Sequence, residues 1–140
     1  MNRIQLVYIA GRYRHYLPDG RYDRLKMSQE LADERHWIFV IARAGCGWIA
    51  PLHNTVMAEG LVPQDVFIEH DLEIIGQMDV ERSAILLRPG WEATPELPES
   101  VGVLAEYDRA QMRGLLVIHG KLGEAAVTQW LLDPEGVLGE

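Results

Sequence analysis

The sequence predicts an α/β fold: a three-layer α/β/α sandwich around a mostly parallel, flavodoxin- or Rossmann-like sheet of four to five strands. Three observations lead there. Short apolar runs alternate with longer segments of helical periodicity, the pattern of a strand–helix repeat. The runs are apolar at nearly every position, as strands covered on both faces must be. Glycine and proline stand where the runs stop, at Gly11, at Gly45 and Gly47, and at Pro89-Gly90. A chain of 140 residues can bury a self-sufficient core, and no repeat or linker divides it, so one domain over residues 1–140 is expected.

In chain order, Ile4 to Ala10 reads as the first strand, ended by Gly11. Residues 12–27 read as a long polar loop with a turn at Pro18-Asp19-Gly20. Ser28 reads as the cap of a helix running to Ala44, with Leu31, Ile38 and Ile41 on one face. Gly47 to Pro51 is the second strand, and Leu52-His53-Asn54-Thr55 then places polar groups past its carboxyl end, where open α/β sheets hold ligands. A second helix spans about Pro63 to Met78, and Ser83 to Leu87 is the third strand, broken by Arg88-Pro89-Gly90-Trp91. Residues 92–99 read as a surface loop, Ser100 opens a helix to about Arg113, and Leu115 to Ile118 is the fourth strand. The tail from Gly123 to Leu132 is helical until Asp133-Pro134-Glu135-Gly136 ends it.

A formal net charge of -8 argues against a nucleic-acid partner, which needs a clustered basic footprint. Arg12, Arg14, Arg21, Arg24 and Lys26, interleaved with Tyr13, Tyr16 and Tyr22, do form a local basic cluster, which suits either a solvated loop or one phosphate. The lone cysteine, Cys46, points to a reducing compartment, and the N-terminal apolar run is too short for a signal peptide or a span. A cytoplasmic protein without a membrane partner is the expectation. Histidines 15, 36, 53, 70 and 119 lack metal-ligand spacing, and there is no Walker loop, dinucleotide fingerprint or nucleophile elbow, so neither metal nor cofactor is expected.

Two carboxylates stand out. Ser100-x-Gly102-x-x-x-Glu106 joins a capping hydroxyl, a glycine in a first helical turn and a carboxylate one turn on. Unpaired N–H groups there favour an anion, and side chains lean toward the helix start, so Glu106 reaches a ligand held at Gly102. A routine cap and an exposed glutamate satisfy the same pattern. Asp71 shares a helical stripe with Phe67, Ile74, Ile75 and Met78, which turns it toward apolar surroundings, where a proton donor can be made. Tyr8 and His53 fall near the ligand edge of the sheet, where either a packed ring or a surface histidine is also ordinary.

Four segments together resemble the nucleoside 2-deoxyribosyltransferase-like group, which includes nucleoside 5′-monophosphate N-glycosidases. They are Val7-Tyr8-Ile9-Ala10-Gly11; Trp48-Ile49-Ala50-Pro51-Leu52-His53-Asn54; Asp71-Leu72-x-x-Ile75; and Leu87-x-Pro89-Gly90-Trp91 followed by Ser100-x-Gly102-x-x-x-Glu106. The resemblance implies that Glu106 is the nucleophile at the anomeric carbon, that Asp71 assists departure of the base, and that Tyr8 orients nucleophile and sugar. It places Gly11, Arg12, Arg14, His53, Trp91, Ser100 and Gly102 around the substrate. A serine at position 100, where the deoxyribosyltransferases proper usually carry aspartate, implies a bound phosphate, which Arg12 or Arg14 would join in holding.

The expected function is hydrolysis of the N-glycosidic bond of a (deoxy)nucleoside 5′-monophosphate through a covalent glycosyl-enzyme. Base exchange by a deoxyribosyltransferase, a noncatalytic nucleotide-binding module and an interaction protein are the rival readings. A small-molecule nucleotide or nucleoside is the expected partner. A homo-oligomer is expected as well, with Trp130, Leu131 and Leu132 as contact candidates that could equally pack on their own core.

Overall fold

The apolar run at the N-terminus becomes the central strand of a four-stranded parallel sheet. The computed structural model describes residues 3–57, 61, 63–92 and 101–138. Strand β1 (Leu6–Ala10) pairs with β2 (Gly47–Ile49) on one side and β3 (Ser83–Leu87) on the other, and β4 (Leu116–His119) pairs with β3. The order β2-β1-β3-β4 is that of the first four strands of a doubly wound sheet. The register sets Tyr8 against Ile49 and Ile85, so the centre of β1 is held on both edges.

Alternation along the strands divides the core. Val7, Ile9, Ala84, Leu86 and Ile118 join Trp37, Val40 and Ile41 of α1 (Arg24–Arg43) and Val127 and Leu131 of α5 (Glu124–Leu132). Tyr8, Ala10, Ile85 and Leu87 join Ile75 of α3 (Gln64–Gln77) and Val103 and Ala110 of α4 (Val101–Arg113). Successive strand residues point to opposite faces, so helices cover both sides of the sheet. Burying each Ile, Leu or Val contributes about 1.5–3 kcal/mol. Among the described residues no helix is long and apolar enough to cross a membrane.

Several boundaries differ from the sequence expectation. Helix α1 begins at Arg24, capped by the Asp23 carboxylate accepting from Lys26 N–H at 3.1 Å, and Ser28 lies inside it. Its buried face is Met27, Glu34, Trp37, Val40 and Ile41; Leu31 and Ile38 are only half-buried. Strand β2 ends at Ile49, and the stretch expected to follow it as exposed polar chain is instead the short helix α2 (Pro51–Met57). A 3-10 turn (Gly120–Leu122) and α6 (Pro134–Leu138) were not expected. Proline tolerates a first helical turn, so Pro134 opens α6, while the Asp133 carboxylate accepts from Gly136 N–H at 3.0 Å. Leu131 lies in the core, Trp130 packs against that core, and Leu132 is exposed. Ser100 and residues 93–99 of the expected loop lie outside the described residues.

Arg88, directly after β3, joins three parts of the chain. Its side chain is 1% exposed, and Nη1 lies 3.2 Å from Glu30 Oε1 and 3.0 Å from Asp33 Oδ2, both on α1. Nη1 also donates to the Glu30 carbonyl, and Nη2 donates to the Arg12 carbonyl at 2.6 Å. The guanidinium lies against the backbone of Gly11, where a Cβ would come 2.5 Å from Arg88 Nε. Only glycine permits that approach.

Two substitutions test this clamp. Replacing Arg88 with Met should lower unfolding free energy in urea by about 3–5 kcal/mol, because it strands two carboxylates that a buried cation had paired. Gly11→Ala should cost about 1–3 kcal/mol by displacing the guanidinium. A loss below about 0.5 kcal/mol in both would show that the clamp does not hold the loop.

Candidate active site

In an open α/β sheet the chain leaves adjacent strands in opposite directions at one point, and the crevice opened there collects ligands. Here the order places that point between β1 and β3, whose carboxyl ends are Ala10 and Leu87. A cavity of about 240 Å³ opens beside it. The segment after β1 supplies Gly11, Arg12, Tyr13, Arg14 and Tyr16; α2 supplies Leu52 and Thr55; α3 supplies Phe67, Ile68 and Asp71; α4 supplies Gly102, Val103 and Glu106.

The two carboxyls come from helices that pack on each other, α3 and α4. Burial is the first cause of raised proton affinity in both, and each carries a negative neighbour that adds to it. Asp71 is lifted to about 6, with Glu34 adding to the rise and His70 and Tyr8 opposing it. Glu106, 9% exposed, is lifted to about 8, with Asp71 and Glu34 adding and Tyr8 and Arg88 opposing. The Tyr8 hydroxyl, fully buried on β1, is held well above its usual range by burial, then by the charges of Glu106 and Asp71. Tyr8 stands close enough to both carboxyls to perturb them. Yet no described residue makes a hydrogen bond of good geometry to Tyr8 Oη or Glu106 Oε2. Buried polar atoms seldom remain so; Arg88 Nε, Trp91 Nε1 and His119 Nδ1 share the condition, and Tyr8 and Glu106 are near enough to act on each other.

Gly102 faces open space: a Cβ there would meet nothing within 4 Å. A ligand can therefore approach the backbone of α4's first turn. On the opposite wall the basic cluster is split. Arg12 and Arg14 line the cavity, whereas Arg21 and Arg24 belong to a neighbouring one and Lys26 to neither. Arg14 lies over the rings of Tyr13 and Tyr22 and donates to the Tyr22 hydroxyl at 2.9 Å, which fixes its direction.

Gly11, Arg12, Arg14, Asp71, Gly102 and Glu106 are thus brought together in one lining, and Tyr8, outside the lining itself, interacts with both carboxyls. Two expected residues are not. His53 stands on α2 outside the cavity lining, its Nδ1 held 2.6 Å from Glu34 Oε1. Trp91 packs against Tyr107 at 5.0 Å and His119 at 6.2 Å and also lies outside the lining. Ser100 is outside the described residues.

Sequence reasoning missed Glu34 and Arg88. Glu34 is fully buried and accepts from the backbone N–H of Leu52 (3.4 Å) and of His53 (3.2 Å), so a carboxylate from α1 fixes the start of α2 and hence the wall made by Leu52 and Thr55. A signal for it exists: Met27, Glu34, Trp37 and Ile41 share one helical stripe, and a carboxylate within an apolar stripe demands a partner. Among the described residues no group of His, Cys, Asp and Glu could hold a metal ion. Comparison with protein-family models, with curated proteins and with solved structures gives no match.

The burial of Glu106 has a thermodynamic signature. Its folded pKa, about 8, lies above the ordinary 4.5, so the folded state binds the proton more tightly and stability falls as pH rises between those values. Glu106→Gln removes the charge and the slope. The variant should gain about 2–4 kcal/mol relative to the parent on going from pH 5 to pH 9. Parallel stability curves for the two proteins would mean the carboxyl is not desolvated.

Proposed function

We propose that the chain is an N-glycosidase that hydrolyses a (deoxy)nucleoside 5′-monophosphate to free base and sugar 5-phosphate. The observation that carries the reading is the carboxyl pair, Asp71 at about 6 and Glu106 at about 8, in one cavity. Near pH 7 the pair holds about one proton. Glycosidic cleavage needs that state, with one carboxylate to meet the cationic anomeric carbon and one acid to protonate the leaving group.

The remaining walls fit the three parts of such a substrate. The first turn of α4, with Gly102, and the guanidinium side chains of Arg12 and Arg14 suit the phosphate. Leu52, Phe67 and Ile68 offer an apolar surface to a flat base, and Asp71 follows Phe67 and Ile68 by one turn on α3, beside the atom that must be protonated. The sugar then lies toward Glu106 and Tyr8.

In the proposed reaction a Glu106 oxygen attacks C1′ as the C1′–N bond breaks, and the departing electron pair takes a proton held by Asp71. The ligand-free pair keeps its shared proton mainly on Glu106, so binding must transfer that proton toward Asp71. Desolvation, which makes Glu106 a weak acid, also makes its ionised form more basic and a better nucleophile toward developing positive charge. Asp71, now ionised, takes a proton from water as water attacks C1′ and releases Glu106. The Tyr8 hydroxyl can donate to the Glu106 carboxylate and aim it throughout. The chain is further proposed to act in the cytoplasm as a homo-oligomer; a monomer in light scattering at micromolar concentration would overturn the latter.

Incubating the protein with each nucleoside monophosphate, and resolving free base by chromatography, tests the reading. Base and sugar phosphate should appear in equal amounts, and Glu106→Gln should lower kcat by at least about 10³-fold. Base release that depends on an added acceptor base would make the protein a transferase; intact nucleotide in every case would remove the enzymatic reading.

The pH dependence of kcat/KM should be bell-shaped. Below about 6 both carboxyls are protonated and no nucleophile remains, and above about 8 both are ionised and no acid remains. Asp71→Asn should abolish the basic limb and leave an acidic limb set by Glu106 alone. A flat profile between pH 5 and pH 9 would show that the pair does not carry the chemistry.

A further inference from the structure

The segment that supplies the cationic wall is a small hairpin with a second cavity of its own. Tyr16 and Tyr22 pair in an antiparallel bridge and stack at 5.4 Å, Leu17 N–H donates to the Arg21 carbonyl, and Asp23 N–H donates to the His15 carbonyl. Outside this hairpin lies a cavity of about 590 Å³ lined by Tyr16, Leu17, Gly20, Arg21, Tyr22 and Arg24. Tyr16 lines both cavities, so the two are neighbours. The first measures about 240 Å³, below the roughly 300–1,000 Å³ usual for a drug-sized ligand. The two cavities meet at Tyr16, the side chain beside which a ligand occupying both would lie.

Arg12 and Arg14 line the inner cavity, across from Asp71 and Glu106, and Arg21 and Arg24 line the outer one, which has no acid among its described lining residues. Of the two aspartates nearby, Asp19 pairs with Arg21, accepting from its Nε at 2.7 Å and from its backbone N–H, and Asp23 caps α1. Arg21 keeps its two terminal amino groups for another acceptor. A basic track in a chain of net charge -8 is a local arrangement for an anion longer than one phosphate.

We infer that the outer cavity is a polyphosphate subsite: Arg21 and Arg24, reached past Tyr16, take the further phosphates of a nucleoside 5′-di- or triphosphate whose first phosphate lies at Arg12 and Arg14. The inference deepens the proposed function and rests on its reading of the inner cavity as a nucleotide site. Each added phosphate meets guanidinium donors that form charge-assisted bonds, and the effect weakens with salt because both arginines are exposed.

Isothermal titration in EDTA at fixed low salt tests it, with the four deoxynucleoside mono- and triphosphates as ligands, on the parent protein and on the Arg21→Ala/Arg24→Ala double variant. In the parent each triphosphate that binds should do so about 10-fold more tightly than its monophosphate, and in the double variant the ratio should fall to within about 2-fold. Equal affinity in the parent, or a ratio that survives both substitutions, overturns the subsite. If no nucleotide binds, inorganic tripolyphosphate decides. Binding to the parent that is lost in the double variant keeps the subsite and removes the nucleotide reading of the inner cavity, whereas no binding of tripolyphosphate overturns the subsite as well.

Discussion

A guanidinium that is 1% exposed needs acceptors, and the two terminal nitrogens of Arg88 find them on elements that are far apart in sequence, while its Nε has none among the described residues. Its partners are Glu30 and Asp33 on α1 and the carbonyl of Arg12 beyond β1. The cavity's cationic wall begins at that carbonyl. His15 is tied to the same network, its Nε2 lying 2.9 Å from Glu30 Oε2, so one glutamate carboxylate joins the hairpin and the clamp. A loop carrying several arginines would otherwise repel itself and remain extended. Fixed at both points, it places Arg12 and Arg14 in the cavity lining.

The opposite wall carries the reverse cost. Glu34 raises the proton affinity of Asp71, and Glu34 and Asp71 both raise that of Glu106, in a place where burial already disfavours charge. Glu34 is compensated by the amide donors of Leu52 and His53 and by the His53 ring. Glu106 has no comparable set of donors. Among the described residues Glu34 is thus a satisfied buried carboxyl and Glu106 one with an oxygen left over. Stability alone would favour an apolar residue at position 106.

The architecture was legible because strands covered on both faces must be apolar throughout, and β1 and β3 are. Asp71 stood out because helical periodicity turned it toward the core; Glu106 stood out differently, through the glycine one turn before it and the lean of helical side chains toward the helix start. What failed was local. Ser28 and Asp23 are equally good caps by composition, and the tertiary docking of the hairpin decided for Asp23. His53 was expected at the ligand because it follows β2, but a buried carboxylate on α1 captured its ring, a pairing no local pattern contains. Arg88 reads as a loop arginine beside Pro89-Gly90, and only the meeting of β3, α1 and the Gly11 backbone makes it interior.

The difference between the two site carboxyls follows from where their helices begin and end. Asp71 lies mid-way along α3, half-buried, with His70 beside it to favour its ionised form. Glu106 lies in the second turn of α4, more deeply buried, and faces the Tyr8 hydroxyl and the charge of Asp71. Two like groups in unlike surroundings lose their protons at different pH, and that separation lets one act as base while the other is still an acid. A phosphate at α4's first turn would add negative charge near Glu106 and raise its proton affinity further, unless Arg12 and Arg14 cancel it. In the proposed function the arginines would therefore do more than hold the anion. By neutralising it they would keep the glutamate within reach of ionisation, so the cationic hairpin and the carboxyl pair would work as one electrostatic unit.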